Sequence, residues 1–237
     1  MMINKELTSR SPLRILEKST QGGVGKGNIC VIGARKGTGK TACLVHIATD
    51  QLIQGKNIIH VSFAANTTHI ISWYETIFKE IARRGKVDNA TEIHDQVTKN
   101  RVIMNFKQDG VTVTKMLASI KSMIKDGNFD ADVVIIDGYD FKRGDKEEFA
   151  AFKSFARDLG IQLWFSATTH RDDPSKDANG VPSILSPFMD NTAILILMES
   201  HENFVHLNLV KDHDTYPAQN SMHLKLDPQV LLIAEEN

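Results

Sequence analysis

Short apolar, β-branched runs alternate along the chain with longer stretches whose apolar positions recur every three or four residues. The run NICVI at 28–32 reads as a strand, and TACLVHIATDQLI at 41–53 as a helix stopped at Gly55. NIIHVSF at 57–63 is a second strand. The helix expected next, over about 68–84, places Ile70, Ile71, Ile77, Phe78 and Ile81 on one side. RVIMNF at 101–106 is a third strand, and the helix after it carries Met116, Leu117, Ile120, Met123 and Ile124 at helical spacing. ADVVIID at 131–137 is a fourth strand. Asp145 followed by Glu148 resembles a capping box opening another helix, which Gly160 ends. IQLWFSA at 161–167 is the fifth strand.

After residue 190 the pattern changes. AILILM, FVHLNLV, HLKL and VLLIA are short strands separated by turns, with no helix between them, and this predicts antiparallel pairing at one edge of the sheet. Five strands joined by helical crossovers predict a three-layer α/β fold with a mostly parallel central sheet and antiparallel C-terminal strands. The expectation is a single domain over 1–237, with 1–27 as a lead-in and 190–237 as the antiparallel extension. The turn-rich stretch 171–187, RDDPSKDANGVPSILSP, is expected to be a mobile loop.

At 237 residues the chain is long enough to bury a substantial core. Its 28 Lys and Arg residues nearly balance 29 Asp and Glu, so no global field draws it to nucleic acid or a membrane surface. Cys30 and Cys43 lie in apolar surroundings without metal-ligand spacing, as packed, reduced thiols do. The first residues lack a signal-peptide core, and no apolar run approaches the ~18 residues that suggest a membrane span. A soluble, cytoplasmic protein is expected.

Two Gly-Lys clusters stand a dozen residues apart, GGVGKG at 22–27 and ARKGTGKT at 34–41. A phosphate cradle needs a strand feeding in, glycines that let backbone N–H groups turn inward, and a helix N-terminus behind. Only the second cluster has all three, and it matches the Walker A pattern with Ala34 in the first position. Residues Ala34, Arg35, Lys36, Gly37, Thr38, Gly39, Lys40 and Thr41 are therefore the candidate nucleotide loop, with Lys40 reaching the β- and γ-phosphates of ATP and Thr41 on Mg²⁺. Asp137, ending the apolar strand VVIID, is the matching Walker B carboxylate for Mg²⁺. GGVGKG precedes a strand and has no helix behind it, so it reads as a turn aiming the chain into the first strand.

With these motifs in this order, the chain resembles the RecA-like ATPases of the KaiC/DnaB group over roughly residues 10–233. That group carries a GG-hydrophobic-x-x-G turn just before its Walker A strand, and GGVGKG matches it. The resemblance implies an ATPase site between subunits, a hexameric ring, and a polar γ-phosphate sensor at the end of the fifth strand, where Thr168, Thr169 and His170 stand. It also implies a catalytic acid after the second strand, a Ser-Phe-Glu-Glu type motif in KaiC-like members. Here the stretch reads VSFAAN, with Ala64 and Ala65 in the acid positions. Alanine neither accepts a proton nor orients water, and losing a positioned base costs ~10²–10⁴-fold in rate. The group's Lys-x-Arg pair, which reaches a neighbour's γ-phosphate, is matched at Lys211, while His213 replaces the Arg.

The nine histidines show no metal-binding spacing and read as surface or strand-pair residues, as His201, His206, His213 and His223 illustrate. Trp73 and Tyr74 read as packing residues or a partner-facing pair. In RecA-like proteins the loop after the fifth strand can touch DNA, but here Asp172, Asp173 and Asp177 offset Arg171 and Lys176. The leading expectation is an ATP-binding domain with weak or absent hydrolysis, whose nucleotide state controls conformation or assembly with protein partners. The alternatives are a DNA-dependent ATPase using another acid such as Asp140, and a non-catalytic interaction module with a structural P-loop.

Overall fold

The computed structural model describes residues 5–9, 11–64, 66–169, 175–216, 218 and 221–236. Its strands are β1 (Ile29–Arg35), β2 (Ile58–Ser62), β3 (Arg101–Asn105), β4 (Val133–Asp137), β5 (Gln162–Thr169), β6 (Ile194–Ser200), β7 (Val205–Asp212), β8 (Leu224–Asp227) and β9 (Leu232–Glu235). They form one nine-stranded sheet in the order β3-β2-β4-β5-β1-β6-β7-β8-β9. Strands β3 to β6 of that order are parallel, and β7, β8 and β9 follow antiparallel.

The pairing corrects one expectation. AILILM belongs to β6, which runs parallel to β1 with Cys30 opposite Ile194, so the antiparallel extension begins only at β7. The physical reason lies in burial. Ile194 to Met198 are all buried, as in a strand covered on both faces, and such strands carry continuous apolar runs rather than alternation.

Helices cover both faces. On one side α2 (Leu13–Ser19), α3 (Lys40–Ile53), α4 (Thr68–Gly85) and α5 (Ala90–Lys99) pack their apolar residues against Cys30, Ile32, Ile58, Val133 and Trp164. On the other, α6 (Val113–Lys125), α7 (Lys146–Leu159) and a 3-10 turn at Ser186–Asn191 cover Val31, Ile59, Val134, Ile136 and Phe165. The remaining described helix is the short α1 (Lys5–Ser9). Asp145 caps α7, its side chain accepting the Glu148 N–H at 2.7 Å, as the capping-box reading requires.

Helix α3 differs from the others because every residue from Ala42 to Ile53 is buried. It is apolar around most of its circumference, and β8 and β9 fold across the flank that α4 and the sheet leave open. Three other expectations change. Helix α5 was not legible as a separate element. Ile71, assigned to the buried side of α4, is 42 % exposed. Residues 175–187 form a fixed hairpin rather than a mobile loop: Asp177 accepts the Asn179 and Val181 N–H groups and the Tyr216 hydroxyl, and Ser183 N–H donates to the Ser175 carbonyl at 3.1 Å. Arg171, Asp172 and Asp173 lie outside the described residues.

Candidate functional site

The parallel strands end together on one edge of the molecule, where open α/β sheets place their ligand crevices. Strand β1 ends at Arg35, the chain turns through Lys36 to Gly39, and α3 starts at Lys40. Gly37 and Gly39 have φ of 85° and 102°, a region that favours glycine, and Gly39 is the N-cap of α3. A Cβ on Gly39 would stand 2.8 Å from Leu226 of β8, so this turn also needs glycine for space. Behind it the first-turn N–H groups of α3 face the loop, the arrangement that attracts phosphate.

Lys40 folds back over the loop, donating from Nζ to the Ala34 and Arg35 carbonyls at 3.1 and 3.0 Å. Burial lowers its pKa, and the nearby Asp137 carboxylate acts in the opposite direction. Thr41 Oγ1 donates to Asp137 Oδ2 at 2.8 Å, so two residues ninety-six positions apart meet at the end of β4. Ser166 on β5 donates to Asp137 Oδ1 at 2.6 Å and accepts the Gly138 N–H at 2.8 Å. These contacts fix both carboxylate oxygens and the turn that follows. The sequence reading missed Ser166, whose only signal was a polar residue inside the apolar run IQLWFSA.

Two connected hollows open around the loop. One of about 460 Å³ is lined by Arg35 to Thr38, Thr168, Thr169 and Ser200. The other, about 290 Å³, extends beneath Gly33 and Ala34 towards Lys176 and Glu199. Strand alternation separates the two sensor candidates on β5. Thr168 shares the face of Ser166 and Asp137, whereas Thr169 lies on the opposite face, in the smaller hollow. His170 lies outside the described residues.

The β2 end carries no carboxylate at Ala64, which is exposed and donates its N–H to Ser62 Oγ at 3.1 Å. Ala65 lies outside the described residues. Asp140 is engaged in its own loop: it accepts the Lys142 N–H at 3.0 Å and pairs with Arg143 at 3.5 Å. Lys211 is remote from this loop. It sits near the end of β7 opposite Leu195, at the far edge of the sheet, and donates to the Met189 carbonyl at 2.6 Å. Its neighbour His213 is bonded through Nδ1 to Asp212 at 2.8 Å.

The first Gly-Lys cluster is also at that far edge. Gly22, Gly23, Gly25 and Gly27 all have positive φ. Gly22 N–H closes α2 on the Glu17 carbonyl at 2.7 Å, and Gly27 N–H joins the Ile161 carbonyl at 2.8 Å. A Cβ on Gly27 would stand 3.2 Å from the Arg157 backbone. These glycines turn the chain tightly into β1, and they lie at the opposite end of that strand from Lys40.

No group of three or more His, Cys, Asp or Glu residues suited to a metal occurs among the described residues. No described helix is long and apolar enough to cross a membrane.

The sequence matches no protein-family model and no curated protein. Among solved structures the chain is similar to the ATPase domain of a DnaB-like helicase, with a TM-score of 0.67 at 16 % identity over 94 % of this chain and 89 % of that one. At that identity the likeness is one of fold. The chain has the three-layer, RecA-like P-loop fold, with a mostly parallel sheet and antiparallel C-terminal strands.

Proposed function

We propose that this protein binds ATP with Mg²⁺ at residues 34–41 and hydrolyses it slowly or not at all, so that nucleotide state acts as a conformational or assembly signal. The observation that carries the reading is the meeting of Thr41 and Asp137 at 2.8 Å beside a β2 end that offers alanine where the resembled ATPases hold an acid. Both residues present hard oxygen donors, the ligand type Mg²⁺ takes. When bound, Mg²⁺ bridges phosphate oxygens and offsets their charge. Thr41 and Asp137 hold it, Ser166 keeps the carboxylate oriented, and Lys40 exchanges its loop carbonyls for phosphate oxygens.

Thr168 is placed to contact the terminal phosphate, and Lys211 to reach a neighbouring copy, because its edge of the sheet faces away from its own loop. The KaiC-like character, a ring assembly and a cytoplasmic location belong to the same reading. The last is supported by two free, buried thiols, Cys30 and Cys43.

The test is MgATP turnover by purified protein, with Lys40→Ala as background and Ala64→Glu/Ala65→Glu alongside. The reading expects wild type near background, nucleotide binding abolished in Lys40→Ala, and turnover raised by about tenfold or more in the double Glu variant. Wild-type turnover at the rate of ordinary ATPases sinks the slow-hydrolysis reading. Turnover that rises with single-stranded DNA replaces it with the DNA-dependent one.

A further inference from the structure

A separate cavity of about 480 Å³ lies between the C-terminal halves of α3 and α4, the N-terminal helices and β9. That is within the ~300–1,000 Å³ usual for small-molecule sites. Leu7, Ile53, Ile81, Val87 and Leu232 give it apolar walls. Two nitrogen-bearing side chains, His46 and Arg84, also line it.

His46 is 3 % exposed, and its Nδ1 accepts the Ile233 backbone N–H at 2.8 Å. Burial, helped by the Arg84 charge, pushes its pKa down to about 3, so the ring is neutral. A neutral imidazole that accepts at Nδ1 carries its proton at Nε2. That N–H has no partner among the described residues. Buried donors are seldom left unmatched, because an unmet hydrogen bond costs more than a made one contributes.

Arg84 spends Nε on Glu80 at 2.7 Å, and its terminal nitrogens have no partner among the described residues. Asp50 also borders the cavity, but Arg14 and Gln54 engage its carboxylate. The exposed Lys86, Asp88 and Glu235 stand at its rim. The interior therefore offers a fixed N–H donor, a guanidinium and apolar walls, with its one buried carboxylate already matched.

We propose that this cavity binds a monocarboxylate with an apolar body, the carboxylate bridging His46 Nε2–H and the Arg84 guanidinium while the apolar part fills the space between Ile53, Ile81 and Leu232. A planar two-oxygen acceptor satisfies both donors at once, and guanidinium pairs with it side by side. A neutral apolar molecule would leave the His46 N–H unmatched, and a cation would face Arg84.

The test is calorimetric titration of the full chain with octanoate, with octanol and MgATP as competitors. One saturable octanoate site is expected, unaffected by MgATP and not displaced by octanol. His46→Asn keeps an acceptor for the Ile233 N–H and removes the Nε2 donor, so it weakens octanoate about ten- to hundredfold. Arg84→Gln weakens it several-fold, and Val87→Trp, which fills the cavity, abolishes binding. The last two changes lie at half-buried or exposed positions and keep the test valid if His46→Asn fails to fold. Absence of a saturable site, displacement by octanol, competition by MgATP, or unchanged affinity in Arg84→Gln overturns the proposal.

Discussion

At the scale of single residues, the candidate site is organised around Asp137. Its two oxygens accept from Thr41 and Ser166, and Ser166 in turn holds the Gly138 N–H. A side chain that orients a metal-binding carboxylate commonly matters about ten- to hundredfold to metal affinity. Ser166→Ala is therefore expected to raise the Kd for MgATP by about that factor and to leave metal-free ATP binding largely unchanged. Parallel titrations with Mg²⁺ and with excess chelator measure it. Equal weakening in both would mean that Ser166 supports the fold rather than the carboxylate. The Walker residues were legible because strand, glycines and helix are contiguous in sequence. Ser166 was not, because its role comes from β5 lying beside β4.

At the scale of elements, buried histidines tie strands and helices together and make their packing sensitive to pH. His46 of α3 accepts from β9. His60 of β2 meets the Tyr74 hydroxyl of α4 at 2.9 Å, with Arg101 stacked 4.2 Å over the Tyr74 ring. Burial depresses both histidines from 6.5, to about 3 for His46 and about 4 for His60. A base whose folded pKa is depressed stays neutral in the native state while the unfolded chain takes up the proton. Their contribution is thus fully present above pH 6.5 and is lost progressively as pH falls below it. Each is expected to cost about 2 kcal/mol between pH 7 and pH 5. Urea unfolding at those two pH values checks this, with His46→Asn expected to flatten the pH dependence by roughly half. A variant with the wild-type slope would show that His46 is not the titrating group.

At the scale of the whole molecule, the antiparallel strands do more than extend the sheet. Leu226 of β8 is 1 % exposed and lies against Gly39, the residue that caps α3 at the phosphate loop. Truncating a buried leucine costs about 2–5 kcal/mol, and for a chain of this size each kcal/mol moves Tm by about 2–4 °C. Leu226→Ala is expected to lower Tm by about 5–15 °C in a thermal melt. A shift under about 2 °C would mean that β8 is not coupled to the core through this residue.

The amino-acid sequence alone determined the alternation of strands and helices, the parallel sheet and the position of the phosphate loop. Each of these rests on local periodicity, or on residues adjacent in the chain. NICVI, ARKGTGKT and TACLVHIATDQLI sit side by side, so no long-range contact was needed to interpret them. The tertiary structure decided what depends on register between distant segments. It pairs β6 parallel to β1, sets Thr168 rather than Thr169 on the Asp137 face, and fixes 175–187 through Tyr216. It also encloses His46 under β9. Pairings of this kind are fixed by which faces end up buried against each other, and that depends on the whole chain at once rather than on any stretch of it.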